Sequence, residues 1–96
     1  MDKTKKERLL EELKRKRNSS ALSDAETVLR AWQFMEGRSK GHARVWSYRH
    51  ITLTLHVPHG RGGRVMDPGA VAMVIRKVGE AALLQEKEEE EKDDAD

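Results

Sequence analysis

Cysteine is absent from the chain, proline occurs only twice, and aromatic residues make up just 4% of it. Without cysteine there is neither a disulfide framework nor a thiolate metal site, and a reducing compartment is the natural setting. The scarcity of aromatics leaves a core of leucine, valine and isoleucine, joined by Trp32 and Trp46. No apolar run approaches the roughly 20 residues that cross a bilayer. The charged stretch over residues 1–17 also lacks the apolar segment of a secretory signal. The expected location is the cytoplasm, with no membrane partner. Ninety-six residues make one domain, near the lower end of the size at which a single core sustains a fold.

What the chain has in abundance is charge, 38% of its residues, and the net +2 hides how unevenly it is spread. Residues 86–96 (EKEEEEKDDAD) hold eight acids against two lysines, which leaves the rest of the chain at +8. A run of that composition is expected to be disordered, because it has too little apolar surface to offset its chain entropy. The remainder is basic enough to attract a polyanion, with RNA, DNA and an acidic protein as the candidates. An acidic tail can also fold back over a basic face and mask it.

Hydrophobic spacing divides the chain into an N-terminal charged helix over residues 1–20, a domain over 21–85 and the acidic tail. Leu9, Leu10 and Leu13 form a narrow stripe on a helix over residues 3–17, either packed as an addition or extended as a basic arm. Ser23-Asp24-Ala25-Glu26 has the form of a capping box, with Ser23 as N-cap. The helix it opens places Ala25, Val28, Leu29 and Trp32 on one face. Residues 34–38 suit a short edge strand, and the alternating runs 42–48 and 51–57 suit two more, joined by a tight hairpin. Pro58-His59-Gly60-Arg61-Gly62-Gly63-Arg64 is a glycine-rich basic loop. Asp67-Pro68 starts the last helix, with Val71, Val74, Ile75, Val78 and Ala82 on its inner face. The expected fold is α+β, a two-layer sandwich in which helices pack on one face of a three-stranded antiparallel sheet.

Among the four histidines, His42 has the most suggestive position. It follows Gly41 where a turn becomes a strand, and Arg38, Lys40 and Arg44 surround it with positive charge. Glycine permits close approach of another backbone, and an imidazole exchanges protons near neutrality. The bland alternative is a surface histidine at the start of a strand. His59, with Arg61 and Arg64, suits contact with a phosphate backbone. His56 and His59 form an H-x-x-H pair, but no acid or cysteine stands at ligand spacing to complete a metal site. No cofactor is expected. Trp46 and Tyr48 have the chemistry to stack on a base, although burial suits Trp46 better.

Residues 34–84 carry a succession of short motifs. Phe34 precedes Arg38-Ser39-Lys40-Gly41-His42. Thr54-Leu55-His56-Val57-Pro58-His59 follows, and then Asp67-Pro68-Gly69 leads into a helix. In this order they resemble the HicA toxins of bacterial toxin–antitoxin pairs, small mRNA interferases with a fold like that of double-stranded-RNA-binding domains. The resemblance implies metal-independent cleavage of mRNA with His42 as the catalytic residue. Arg38, Lys40, Gly41, Arg44, His59, Arg61 and Arg64 are then expected to line the RNA site, and a HicB-like antitoxin to be the protein partner. In this chain His42 follows Gly41 directly, without the small hydroxyl residue that the family carries between them. An RNA-binding module of the same fold without catalysis is the second reading, and a protein-interaction domain the third.

Overall fold

The computed structural model describes residues 4–37, 43–56 and 65–94, with side chains as far as Glu89. Six elements follow one another: α1 (Lys5–Arg15), α2 (Leu22–Ala31), β1 (Met35–Glu36), β2 (Ala43–Tyr48), β3 (Ile51–His56) and α3 (Pro68–Asp94). The strands form one open antiparallel sheet in the order β1-β2-β3. With the three helices this is an α+β fold.

The first helix is a packed part of the domain, not an arm. Leu10 and Leu13 are buried, and the Thr4 hydroxyl caps the helix by accepting the Glu7 N–H at 3.3 Å. Three residues from three helical segments then lock together. The Trp32 indole N–H donates to the Lys6 carbonyl at 3.0 Å, and the Lys6 ammonium lies 4.6 Å from the Trp32 ring centroid. Lys6 also donates to Gln85 Oε1 at 3.1 Å, while Gln85 Nε2 donates to the Trp32 carbonyl at 2.9 Å. The ammonium thus meets both an aromatic face and an amide oxygen, and every polar atom in the cluster has a partner.

The second helix starts one residue before the expected N-cap. Ala21 is the N-cap, and the Asp24 carboxylate accepts its N–H at 2.9 Å. Tertiary pairing sets this boundary: Ala21 bridges to Val65, and the buried Ser20 accepts the Met66 N–H on its carbonyl at 2.8 Å. Those contacts hold Ala21 extended, so Ser23 falls inside the first turn and Glu26 is released from a capping role. Ala25, Val28, Leu29 and Trp32 are buried, as their spacing predicts. Gln33 then takes a left-handed φ of 71°, and the Phe34 N–H returns to the Leu29 carbonyl at 2.9 Å, which turns the chain sharply into β1.

β1 is only two residues long, against the five expected, because Phe34 turns inward to pack 5.8 Å from the Tyr48 ring. β2 and β3 pair in unbroken register from Ala43↔His56 to Tyr48↔Ile51, and Arg49-His50 makes the two-residue connection with Arg49 at φ 55°. Trp46, Tyr48, Ile51, Leu53 and Leu55 are buried, whereas Thr52, Thr54 and His56 are exposed. All four aromatic residues belong to the core. Trp46 is fully buried and Tyr48 nearly so, which removes them as base-stacking platforms.

Asp67 caps α3 as expected, its carboxylate accepting the Gly69 N–H at 3.0 Å and its carbonyl the N–H groups of Ala70 and Val71. Val71, Val74, Val78 and Ala81 are fully buried. The helix does not stop at the acidic run. It continues to Asp94, so the disorder expected over residues 86–96 gives way to helix up to that point. Glu88 explains the start of this extension. Its carboxylate accepts the Tyr48 hydroxyl at 3.1 Å and the Arg49 Nε–H at 3.0 Å, which ties the beginning of the run to the β2–β3 turn.

Candidate nucleic-acid interface

Antiparallel pairing decides which loops share a neighbourhood. β2 begins at Ala43, opposite His56 where β3 ends. Gly37, just past β1, donates its N–H to the Val45 carbonyl at 2.6 Å. The connections over residues 38–42 and 57–64 therefore depart from one end of the sheet, and the Arg49-His50 turn closes the other. Both α2 and α3 start at the first end: Ala21 is bridged to Val65, and Pro68 follows three residues later. Two helix N-termini are directed there, each already met by a carboxylate, Asp24 on α2 and Asp67 on α3.

Of the residues expected to line an RNA site, Arg38, Lys40, Gly41, His42, His59, Arg61 and Arg64 lie outside the described residues. The described residues that flank both segments, Gly37, Ala43, His56 and Val65, lie at the same end. Between them these segments contain four cations and two histidines and no acid.

Arg44 is the one expected contact within the described residues, and it is already engaged. Its guanidinium meets the Glu26 carboxylate at 2.6 Å. Glu26 is nearly buried and Arg44 about one-third exposed, so the charge on α2 is satisfied from β2. The hydrogen bond from Arg44 to Glu26, and then their opposite charges, raise the already high guanidinium pKa. Arg44 is thus first a structural cation that binds α2 to the sheet. Its side chain lies on the same strand face as Trp46 and Tyr48, opposite Val45 and Ser47.

A second basic group was not singled out from sequence. Lys14, Arg15, Lys16 and Arg17 follow one another at the close of α1, and all four are exposed. The chain that leaves them is the one whose Ser20 and Ala21 pair with Met66 and Val65, immediately after the 57–64 segment. One of the four, Lys16, pairs with Glu12 one helical turn away at 3.6 Å. The signal that could have found them is their contiguity. Four successive cations wrap around a helix end and cannot all face acids on one side.

The acidic run occupies the other pole. Glu88 is fixed at the Arg49 turn, and α3 carries residues 89–94 onward from there. As far as Asp94 the helix does not turn back toward the basic end. Among the described residues no helix is long and apolar enough to cross a membrane.

No family model, curated protein or solved structure matches the chain.

A functional reading then rests on the order of the motifs and on this polarity. The two segments that leave and rejoin the described residues at one end of the sheet carry, by sequence, glycines, cations and imidazoles and no acid, a composition suited to a phosphate backbone. The acidic run lies toward the other end.

Proposed function

We propose that the chain is an RNA-cleaving toxin of the HicA type, with the basic end of the sheet as its RNA site and His42 as general acid or base. The observation that carries this reading is the strand register, which starts the loop of His42 and the loop of His59, Arg61 and Arg64 from the same end. Supporting it are the exposed Lys14, Arg15, Lys16 and Arg17 beside that end and the absence of any acid from either loop. The fold proposed is the two-layer arrangement of double-stranded-RNA-binding domains, enlarged by α1. Arg38, Lys40, Arg61 and Arg64 hold the strand by its phosphates, and Gly41 lets the strand approach. A 2′-hydroxyl attacks the adjacent phosphorus, forming the P–O2′ bond as the P–O5′ bond breaks. His42 takes the 2′-OH proton or delivers one to the leaving O5′, and water carries the other proton. No metal is required for that chemistry, and a HicB-like antitoxin covering the basic end is the partner that restrains it.

His42→Ala tests the assignment. A positioned general base contributes about 10²–10⁴-fold, so the variant should bind RNA with unchanged affinity and salt dependence while cleavage falls by about that factor. Equal cleavage by the two proteins would end the catalytic reading.

One observation favours a second reading. Gly41 is followed directly by His42, without the hydroxyl residue of the family pattern, and this suits a module that binds RNA duplex without cutting it. In that case purified wild-type protein shifts RNA in a salt-dependent manner, and no cleavage product accumulates.

A further inference from the structure

β3 is an edge strand, and among the described residues no backbone group pairs with its free edge. The two-residue turn makes Tyr48 and Ile51 a hydrogen-bonded pair, and alternation then makes Leu53 and Leu55 the residues that bond to β2. The Val45 carbonyl confirms the phase: Val45 lies opposite Thr54, yet its oxygen accepts from Gly37 on the β1 side. Thr52, Thr54 and His56 therefore direct their backbone N–H and C=O groups away from β2. No backbone hydrogen bond reaches these three residues from outside their strand among the described residues. Natural edges are usually blunted by lysine, proline, a bulge or a very short strand. This one spans six residues in unbroken register and contains none of those devices.

We infer that this edge pairs with the same edge of a second copy of the chain, joining two three-stranded sheets into one of six strands. The strand is complementary to itself. An antiparallel pairing centred on Thr54 sets Thr54 against Thr54 of the second copy, Thr52 against His56 and Leu53 against Leu55. Threonine pairs and aliphatic pairs are favourable across strands, and no charge faces a like charge. The flank beside the edge is also compatible with a copy. A groove between α3 and the start of β3 is lined by His50, Ile51, Lys77, Glu80, Leu84 and Lys87, with Glu86 balancing the charge and Leu83 at its rim two-thirds exposed. Two lysines and two glutamates leave this surface neutral, so a second copy meets no repulsive field there. At the basic end a second copy would meet its own cations. A phosphate backbone finds no net positive charge along this flank, which separates it from the RNA site.

The test is the mass of the intact chain in solution across a concentration series, by light scattering or sedimentation. Wild type should approach twice the mass of one chain as concentration rises. Thr54→Pro removes an outward N–H without touching the ladder to β2, and should raise the concentration at the midpoint by about tenfold or more. Thr54→Val keeps the N–H and should dimerise like wild type. Because the two-fold axis sets position 54 against itself, Thr54→Lys and Thr54→Glu should each be monomeric alone and should pair when mixed. Folding of each variant is checked by circular dichroism, and the mixing experiment stands even if the proline variant does not fold. A wild type that stays monomeric throughout overturns the proposal and leaves the edge to a strand from another protein. Failure of the lysine and glutamate variants to pair on mixing overturns the two-fold register.

Discussion

Glu26 shows how a local pattern and a tertiary one compete for the same side chain. Three residues after Ser23, it fits a capping box. The Ala21–Val65 bridge moves the cap back by two positions, and Glu26 instead meets Arg44 at 2.6 Å. No local rule could reveal that pairing, because its partner is 18 residues away across the helix–sheet contact. The consequence is a test that separates two roles of Arg44. If it is a structural cation, Glu26→Gln and Arg44→Gln should lower the melting temperature by similar amounts, and the double variant should lose little more than either alone. RNA affinity should change little in Glu26→Gln. A fall in RNA affinity for Arg44→Gln with no loss of thermal stability would make Arg44 a phosphate contact instead. Gln85 offers a cleaner measurement, since its side chain is buried and bonded at both ends to Trp32 and Lys6. Gln85→Leu leaves the Trp32 carbonyl without that donor, and urea unfolding should show a loss of about 1–3 kcal/mol.

Elements with a strong period were the legible ones. The alternation of Ile51, Leu53 and Leu55 with Thr52, Thr54 and His56 is reproduced residue for residue, as is the buried face of α2. Asp67-Pro68 fixed the start of α3 because cap and first-turn chemistry act locally. Lengths set by packing were not legible. β1 is shortened because Phe34 prefers the ring of Tyr48, and α3 is extended by an ion pair and a hydroxyl contact at Glu88. The disposition of α1 was also open, since a stripe of three leucines suits either an arm or a packed helix. Leu13 decides it, being only 3% exposed. Leu13→Ala should therefore cost about 2–5 kcal/mol, a large share of the about 5–15 kcal/mol that holds a domain of this kind together. Chemical denaturation would show it. A variant as stable as wild type would mean that α1 contributes nothing to the core.

At the scale of the whole molecule the net charge of +2 is the least informative number, because the charges are sorted by position. The sorting follows from topology. β2 spans six residues, which at about 3.3 Å per residue separates the Ala43 end from the Tyr48 end by about 17 Å. Glu88 is fixed at the far end, and the helix carries the later acids onward from the Arg49 turn. Screening in physiological salt acts over about 8 Å, so the acidic run is more than one screening length from the proposed RNA site. Sequence alone allowed the tail to mask the basic face. Geometry predicts the opposite outcome for its removal. A chain ending at Gln85 should bind RNA with near wild-type affinity at physiological salt, and should gain only at low ionic strength, where the screening length grows to about 30 Å. Stability should fall modestly, through loss of the Glu88 contacts to Tyr48 and Arg49. Titration of labelled RNA at several salt concentrations distinguishes the two pictures. A large gain in affinity for the shortened chain at physiological salt would mean that the acids reach the basic end after all, and that the tail acts as a mask.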